Sequence, residues 1–282
     1  MSLAVKFYDV GHGSCTHIIT PNGRHYLVDV GSRSDKSVCK HIADKYLGMG
    51  EIDYLVITHP HLDHIYDLRS MQTLGLGPKV LQRPTAAFPL AISLEDSPSD
   101  VALKKHANQM NERYTSPVTI DPCLPENTGG LSVRIFSPRV TDNESSDINN
   151  YSSVVVLDYV GFKLVLTGDN PSKKLREQLQ NREFASAISD ADVLLAPHHG
   201  RSGEYCDDFV QKVNPRITVI SDDCIQRGTQ IDSSGFYGNV TRGVNWCGNF
   251  RKVFTTRNDG TVTITINGDG SSWSIDTSKD EY

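Results

Sequence analysis

The residues best suited to chemistry are concentrated in the string T-H-P-H-L-D-H, which runs from Thr58 to His64. It supplies three imidazoles and one carboxylate, and both groups are good ligands for Zn, Mn or Fe. His59 and His61 alternate along an extended segment, so both can point to the same side. Asp63 and His64 fall where the chain turns into a helix and can face a second point nearby. One segment can therefore supply ligands to two adjacent metal ions.

Two later segments add ligands of the same kind. Asp169 ends the string T-G-D at 167–169, and His198 and His199 begin the string H-H-G at 198–200. Each string follows a short apolar run that is typical of a buried strand. Gly-Asp alone is common in turns, but the three segments together predict a metal site at the ends of strands.

The elements that must position these residues are short strands with a few helices between them. Apolar runs predict strands at 3–10, 15–20, 25–30, 53–58, 154–159, 162–166, 192–196, 217–220, 261–266 and 272–275. Helical spacing predicts helices at 35–47, 65–74, 100–113 and 171–179. The polar, glycine-rich residues 222–250 predict a loop. This order favours an α/β fold in which two sheets are covered by helices.

Composition limits the possible functions. The 282 residues include 28 Lys and Arg and 34 Asp and Glu, which gives a net charge of −6. This balance argues against a protein that binds nucleic acid by charge alone, although metal ions could supply positive charge locally in a nuclease. No apolar run reaches the roughly 18 residues of a membrane-spanning helix. Six scattered cysteines without a C-x-x-C pair favour reduced thiols and a cytoplasmic location.

The motifs together resemble those of the metallo-β-lactamase fold superfamily, and most closely its ComEC-type competence hydrolase domains. The strings that carry the resemblance are D-V-G-H-G-S at 9–14, H-x-H-x-D-H at 59–64, N-N-x-S at 149–152, T-G-D at 167–169, H-H-G at 198–200 and T-R-N-D-G-T-V at 256–262. The resemblance implies an αββα sandwich of two mixed sheets flanked by helices. We expect one domain over 1–282, with the proline-rich residues 84–130 as an insertion or lid.

The resemblance also implies two divalent metal ions, Zn or Mn, and a set of ligands for them. His59 and His61 would bind one ion, Asp63, His64 and His199 the other, and Asp169 would bridge the two. Asp63 and His198 are the candidate catalytic residues, and His198 could donate a hydrogen bond to a substrate oxygen or protonate a leaving group. The reverse assignment, with His198 as the ligand, stays open.

Four further residues are candidates for substrate binding. Asn149 and Asn150 occupy a stretch in which many members of the superfamily have a further histidine. An amide oxygen is a weaker ligand than imidazole, so the first metal ion could be loosely held. Arg201, directly after the H-H-G string, and Ser221, which resembles a late serine of the ComEC-type domains, complete this set.

Residues beside the motifs are expected to have supporting roles. Asp29 ends a predicted strand and is expected to orient the histidine-rich segment through hydrogen bonds. His12 and His17 are expected to be ordinary polar residues. Several basic side chains could contact phosphate or be solvated surface charges, namely Arg33, Arg69, Lys173, Lys174 and Arg176.

The predicted function is a metal-dependent hydrolase, and most specifically a phosphodiesterase or nuclease that acts through a metal-activated hydroxide. The expected substrate is a phosphodiester, with DNA as the leading polymer. One alternative is a small-molecule hydrolase with the same site, acting on a cyclic nucleotide, a phosphocholine-type diester, a lactone or a thioester. The other is a non-catalytic binding module that has kept the fold.

Overall fold

The strands follow one another along most of the chain. The structure is a computed structural model that describes residues 1–48, 50–93, 97–223 and 233–282. In chain order the strands are β1 (Leu3–Phe7), β2 (Thr16–Ile19), β3 (His25–Val28), β4 (Tyr54–Val56), β5 (Val80–Gln82), β6 (Ser132–Phe136), β7 (Val154–Tyr159), β8 (Phe162–Leu166), β9 (Val193–Leu195), β10 (Ile217–Ile220), β11 (Val244–Trp246), β12 (Asn249–Arg251), β13 (Val253–Thr255), β14 (Thr261–Ile266) and β15 (Trp273–Ser278).

Two mixed sheets contain most of these strands. The first has the order β15-β14-β1-β2-β3-β4-β5, and the second has the order β13-β10-β9-β8-β7-β6. In the first sheet β3, β4 and β5 are parallel, and in the second β8, β9, β10 and β13 are parallel. The remaining pairs in both sheets are antiparallel. Each sheet therefore has one parallel part, and the polar motifs follow strands of these two parts.

Most of the helices pack on the outer faces of the sheets. They are α1 (Val38–Ile42), α2 (Leu62–Ile65), α3 (Leu68–Thr73), α4 (Ala87–Ile92), α5 (Pro98–Arg113), α6 (Pro125–Thr128), α7 (Ser172–Leu179), α8 (Arg182–Ile188), α9 (Asp207–Val213), α10 (Ser233–Val240) and α11 (Thr256–Asp259). The exceptions to this packing are α6 and α11. A π-helical turn, Ala43–Leu47, continues α1, so the helix predicted at 35–47 is irregular.

Three apolar clusters show that the molecule has four layers. Alternate residues of β1, such as Val5 and Phe7, face the second sheet and pack with Leu164 of β8 in the cluster between the sheets. A second cluster joins the outer face of the first sheet to α1 and α3. A third joins the outer face of the second sheet to α7, α8, α9 and α10. This arrangement confirms the predicted αββα sandwich.

The loop prediction for 222–250 is wrong for its second half. Residues 233–240 form α10, and residues 244–246 and 249–251 pair as the hairpin of β11 and β12. Tyr237 is fully buried in the cluster beneath the second sheet. Burial of this aromatic ring stabilises a helix whose two glycines, Gly235 and Gly238, give it little intrinsic propensity. The part of the prediction at 224–232 lies outside the described residues.

The described residues of the proline-rich segment, 84–93 and 97–130, include the three helices α4, α5 and α6. The helix predicted at 100–113 is confirmed as α5, which begins at Pro98 with Ser97 as its N-cap. Leu103 and Ala107 of α5 are buried in the cluster that includes α1 and α3. The segment therefore contributes to the core. Its role as an insertion or lid within one domain stays a prediction.

Two findings bear on the predicted environment of the chain. Among the described residues, no helix combines the length and apolar character that crossing a membrane requires. Five of the cysteines, Cys15, Cys39, Cys123, Cys206 and Cys247, have free thiols. The sixth, Cys224, lies outside the described residues.

His17 is not an ordinary polar residue, because it is fully buried on β2. Its Nε2 lies 3.0 Å from Nδ1 of His25, and its Nδ1 lies 3.4 Å from the hydroxyl of Tyr8. Burial lowers the pKa of His17 to about 3, and the neighbouring His25 and Lys6 act in the same direction. The folded protein therefore keeps this imidazole neutral at pH values at which a free histidine is protonated.

We expect this imidazole to destabilise the protein in acid. Because a histidine in the unfolded chain has a pKa of about 6.5, the unfolded state binds more protons below that pH, and stability falls with the pH. The loss from His17 between pH 7 and pH 5 should be about 2 kcal/mol in the free energy of unfolding. Urea unfolding at both pH values would measure this loss. The free energy of unfolding of His17→Gln should fall by about 2 kcal/mol less between pH 7 and pH 5 than that of wild type. His106→Gln is the comparison, because burial also lowers the pKa of this half-buried histidine, but by less. A change in His106→Gln as large as in His17→Gln would contradict the assignment to His17.

Candidate metal centre

The functional motifs meet where the parallel strands of the two sheets end. Carboxyl ends of parallel strands form the usual binding edge of such sheets. The residues that follow these strands are Asp29 after β3, His59 and His61 after β4, Asp169 after β8, His198 and His199 after β9, and Ser221 after β10. The helix α2 follows β4 directly and carries Asp63 and His64. All six predicted metal ligands are thereby brought to one place.

Several of these loops have backbone conformations that few residues adopt. Asp29, His198 and His199 have φ angles of 59°, 50° and 52°, in the left-handed region. At Gly168 φ is 53°, and a Cβ there would lie 2.9 Å from the side chain of Thr58. The T-G-D string therefore needs its glycine so that the loop carrying Asp169 can pack against the start of the histidine-rich segment. Such outliers are common at functional sites.

The first cluster consists of His59, His61 and Asp169. Nε2 of His59 lies 3.1 Å from Nδ1 of His61 and 3.8 Å from Oδ2 of Asp169. One ligand atom from each residue lies within 4.8 Å of the others. The separation of these donors is compatible with their binding the same ion.

The second cluster consists of Asp63, His64, Asp169 and His199, again with their ligand atoms within 4.8 Å of one another. Nε2 of His64 lies 3.0 Å from Oδ1 of Asp169. Nε2 of His199 lies 3.2 Å from Oδ2 of Asp63 and 3.5 Å from Oδ2 of Asp169. Asp169 is the residue common to both clusters, which is the position expected of a bridging carboxylate.

Hydrogen bonds to Nδ1 orient the two imidazoles of the second cluster. Nδ1 of His64 lies 2.7 Å from Oδ2 of the buried Asp29, and this carboxylate also accepts hydrogen bonds from the backbone N–H and hydroxyl of Thr58. Nδ1 of His199 donates to the backbone carbonyl of Ser221 over 2.9 Å. Partners of this kind determine the tautomer and leave Nε2 available to a metal ion. The supporting position predicted for Asp29 agrees with this geometry.

The titration behaviour of the second cluster reflects its crowded charges. Burial would raise the pKa of Asp63 and Asp169, but hydrogen bonds and charges from His199 and His64 outweigh it and lower both pKa values. Burial likewise opposes protonation of His199, yet Asp169 and Asp63 raise its pKa to about 10. The pKa of His64 is raised well above its usual range by Asp169 and Asp29, also against burial. The carboxylates here thus attract positive charge, and a metal ion would take the place of these protons.

His59 differs from the histidines of the second cluster. It is fully buried, and burial together with the charge of His64 lowers its pKa well below the usual range. A neutral imidazole is the form that binds metal. Histidines and carboxylates, most of them buried, whose donor atoms converge in two groups fit divalent metal ions by donor chemistry.

His198 lies beside the clusters but belongs to neither. Its Nε2 is 3.6 Å from Oδ2 of Asp169, and its Nδ1 is buried without a hydrogen-bond partner among the described residues. The geometry therefore favours His199 as the ligand of the pair.

The four residues predicted to bind substrate have different surroundings. The amide of Asn150 donates to the backbone carbonyl of Glu144, whereas Oδ1 of Asn149 is buried and has no hydrogen-bond partner within the described part of the chain. The hydroxyl of Ser221 donates to the carbonyl of Gly13 over 2.7 Å. Ser221 is linked to the metal centre by its backbone carbonyl, which accepts a hydrogen bond from His199. Arg201 is half-buried directly after the H-H-G string.

His12 was given no role by the sequence, yet it lies at the centre. Its Nε2 is 3.5 Å from Oδ2 of Asp63, and its ring centroid is 4.6 Å from that of His199. A Cβ on Gly13 would lie 2.5 Å from the carbonyl oxygen of Asp63, so this turn packs tightly against α2. The glycines on both sides of His12 were the available signal, since they permit so close an approach of two backbones.

The two lysines after Asp169 are paired with carboxylates. Lys174 is 1% exposed, and its ammonium lies 2.7 Å from Glu144 and 2.9 Å from Glu177. Lys173 lies 2.6 Å from the other oxygen of Glu144. Burial of its ammonium between two carboxylates contradicts the phosphate role suggested for Lys174, whereas the role suggested for the exposed Lys173 stays a prediction. The two lysines attach the segment containing Glu144 to α7.

A cleft leads from the second cluster to the surface. Its inner part is a cavity of about 490 Å³ whose lining includes His12, Arg33, Asp63, Tyr66 and Asp223. A neighbouring cavity of about 360 Å³ shares residues 33–35 and Tyr66 with it and continues past Arg69. The side chain of Tyr66 is 42% exposed on the wall common to both. Asp63 is thus accessible from outside along this path.

Two mixed sheets packed face to face, outer helices, and converging histidines and aspartates at the strand ends define a metal-dependent hydrolase of the αββα type. The chain belongs to the metallo-β-lactamase superfamily, because the model of that family matches residues 8–221. This match confirms the resemblance seen in the motifs.

Particular relatives agree with this membership. The chain is 24% identical over 233 residues to ComE operon protein 3 of Bacillus subtilis (strain 168), with 77% of this chain and 28% of the relative covered. It spans little more than a quarter of that protein. Zn-bound PqqB from Methylobacterium extorquens is 13% identical with a TM-score of 0.52, and 95% of this chain and all of PqqB are covered. The diiron β-hydroxylase CmlA from Streptomyces venezuelae is 15% identical with a TM-score of 0.50, and 84% of this chain and 51% of CmlA are covered. These likenesses to solved structures show the fold alone.

Proposed function

We propose that this protein is a phosphodiesterase that uses two divalent metal ions, Zn or Mn. The observation that carries the proposal is Asp169, whose carboxylate belongs to both clusters of histidine and aspartate donors. Two ions held in this way supply a nucleophile at neutral pH and stabilise the charge of a phosphoryl group. The resemblance of the motifs to those of ComEC-type hydrolase domains also favours a phosphodiester as the substrate.

In this proposal, His198 acts on the substrate. Burial lowers the pKa of His198 and outweighs the opposing charge of Asp169, so its imidazole is neutral near pH 7. A neutral imidazole can donate a hydrogen bond to a phosphoryl oxygen, whereas delivery of a proton to a leaving oxygen requires the protonated form, which the lowered pKa makes the minor form near pH 7. Its position beside Asp169, outside both clusters, leaves it available for that task.

We expect His198→Asn to lower kcat by about 10²-fold or more while the bound metal content stays unchanged. Asparagine tolerates the left-handed backbone of this position, so the effect should come from the lost imidazole. Turnover of diesters with good and poor leaving groups would separate the possible roles. A larger loss with the poor leaving group is expected if His198 delivers the proton. Loss of metal in this variant would contradict the proposal and make His198 a ligand.

The cleft has features that suit either DNA or a small phosphodiester. The exposed ring of Tyr66 offers a surface on which a base could stack. The charges along the outer part are nearly balanced, however, since Arg33, Lys36 and Arg69 are matched by three aspartates, Asp35, Asp67 and Asp100. A cleft without net positive charge gives a long polyanion little general attraction. This observation favours a small phosphodiester as the second candidate beside DNA.

The test is turnover by the full chain loaded with Mn or Zn. The substrates would be bis-p-nitrophenyl phosphate, single- and double-stranded DNA, and a cyclic nucleotide, followed by a lactone and a thioester. Hydrolysis of any diester supports the proposal, and competition between the cyclic nucleotide and DNA would separate the two candidates. Hydrolysis of the lactone or thioester alone, or metal binding without any turnover, would overturn it.

A further inference from the structure

A second large cavity lies along β5, the last strand of the first sheet, and has a volume of about 830 Å³. Its walls include Arg24, Lys79, Arg83, Arg113, Tyr114 and, from the strap of residues 116–122 that follows α5, every residue except Asp121. None of the six candidate metal ligands lines it. The strap and Tyr114 belong to the proline-rich segment, which the proposed hydrolysis does not use.

The end of this cavity at the starts of the parallel strands is distant from the metal centre. Arg24, Asp53 and Lys79 lie at the starts of β3, β4 and β5, whereas the metal ligands follow the ends of such strands. His59 is six positions after Asp53 in the chain, which corresponds to about 20 Å along an extended strand. A ligand at this end would not contact the clusters.

The charge of the cavity is opposite to that of the protein. Its lining contains four cationic side chains and one carboxylate, Asp53, in a chain whose net charge is −6. Lys79 is paired with Asp53 and with Glu51. Within the described ranges, the three arginines have no carboxylate within 4.0 Å. Their positive charges are therefore available to an anion.

Arg83 is the clearest example of a cation without an anionic partner among the described residues. Its Nε donates to Oδ1 of Asn111 over 3.0 Å, and one Nη donates to the carbonyl of Leu81 over 3.0 Å. The other Nη donates to the carbonyls of Asn111 over 2.5 Å and Tyr114 over 2.7 Å. These neutral partners determine the position of the guanidinium but do not neutralise it. Partial burial lowers its pKa, which indicates that its charge is incompletely solvated. A half-buried cation of this kind is stabilised by an anion beside it.

The size and remaining lining narrow the class of ligand. The volume lies within the usual range of about 300–1,000 Å³ for a small-molecule site. Guanidinium groups match the oxygens of phosphate better than those of simple halides or other spherical anions. The half-buried ring of Tyr114 and the exposed Val118 and Ile120 of the strap add apolar surface. We propose that this cavity binds a phosphate-bearing anion with an organic part the size of a nucleotide.

The proposal can be tested by fluorescence anisotropy with the full chain and two probes. One probe is a fluorescent ADP analogue, and the other is a labelled 12-nucleotide single strand of DNA. Arg24→Glu and Arg113→Glu should each weaken binding by at least about 10-fold, as expected for reversing a charge that contacts phosphate. Asp169→Asn should leave this binding unchanged, because it alters only the metal centre. Arg182→Glu, which reverses an exposed charge on α8, is the matched control.

The two probes distinguish the sources of the phosphate. Arginine-dependent binding of the ADP analogue assigns the cavity to free nucleotides, and arginine-dependent binding of the DNA alone assigns it to a nucleic-acid backbone. Three results would overturn the proposal: no binding of either probe at about 1 mM, equal weakening by Arg182→Glu, or binding that only Asp169→Asn removes. Because turnover at the metal centre is measured separately, failure here leaves the proposed phosphodiesterase intact. Circular dichroism and thermal unfolding would verify that the variants fold.

Discussion

Asp169→Asn should lower hydrolytic turnover by about 10³-fold or more and remove at least one bound metal ion. The substitution keeps the size of the side chain but removes the negative charge that both clusters share. It also leaves His64 and His199, whose raised pKa values depend on this carboxylate, with one anionic neighbour fewer. Elemental analysis of the purified protein and turnover of bis-p-nitrophenyl phosphate with added Mn or Zn would measure both effects.

Asp208→Asn is the matched control for this substitution. Asp208 is an exposed carboxylate on α9 whose nearest ion-pair partner, Arg176, is 3.7 Å away. Its variant should keep the wild-type metal content and turnover. If Asp169→Asn instead retained two ions and normal turnover, the assignment of Asp169 as the bridge would be wrong, and the two clusters would have to be independent.

Asp29→Asn should weaken metal binding by about 10- to 100-fold and lower the free energy of unfolding by about 1–3 kcal/mol. Asp29 is 1% exposed and accepts hydrogen bonds from the backbone and hydroxyl of Thr58 while it faces Nδ1 of His64. An amide at this position presents one oxygen instead of two, so at least one of these donors is left buried without an acceptor. The orientation of His64 is then no longer determined, and its Nε2 becomes a poorer ligand.

The backbone at Asp29 makes asparagine the informative replacement. Its φ of 59° is tolerated by asparagine but is costly for alanine, which would add strain to the loss of the carboxylate. Asp190 offers a matched control, because it has a φ of 51° at an exposed position away from the metal centre. Chelator competition would report metal affinity, and urea unfolding would report stability. Unchanged metal affinity in Asp29→Asn, with stability alone reduced, would show that Asp29 is important only for folding.

The sequence was sufficient for the features that depend on local pattern. Alternating apolar residues in β1, and short apolar runs in the parallel strands, determine where strands form, because these segments must bury one face or both. The histidine-rich string lies directly after such a run, so its position at a strand end follows from its neighbours in the chain. The helix of 98–113 was predictable for the same reason, since its cap and its spacing are both local.

Other features depend on residues far apart in the chain. Nε2 of His199 approaches Asp63 across 136 positions, and only the packing of one sheet on the other brings them together. His12 reaches the centre because Gly13 allows its turn to pack against α2. Lys174 resembles a surface lysine in the sequence and is buried because Glu144 lies opposite it.

The sequence by itself determined the ligand types, their placement after strands and the family to which the chain belongs, because these depend on residue identity and short-range spacing. The family resemblance implied Asp169 as the bridge, but only the tertiary structure brought the donor atoms of both clusters together around it and placed His198 outside them. Only the tertiary structure showed that three arginines line a cavity along β5 with no carboxylate of the described residues within 4.0 Å. The reason is physical: solvation, pKa values and charge balance depend on which groups are packed side by side, and those groups come from distant parts of the chain.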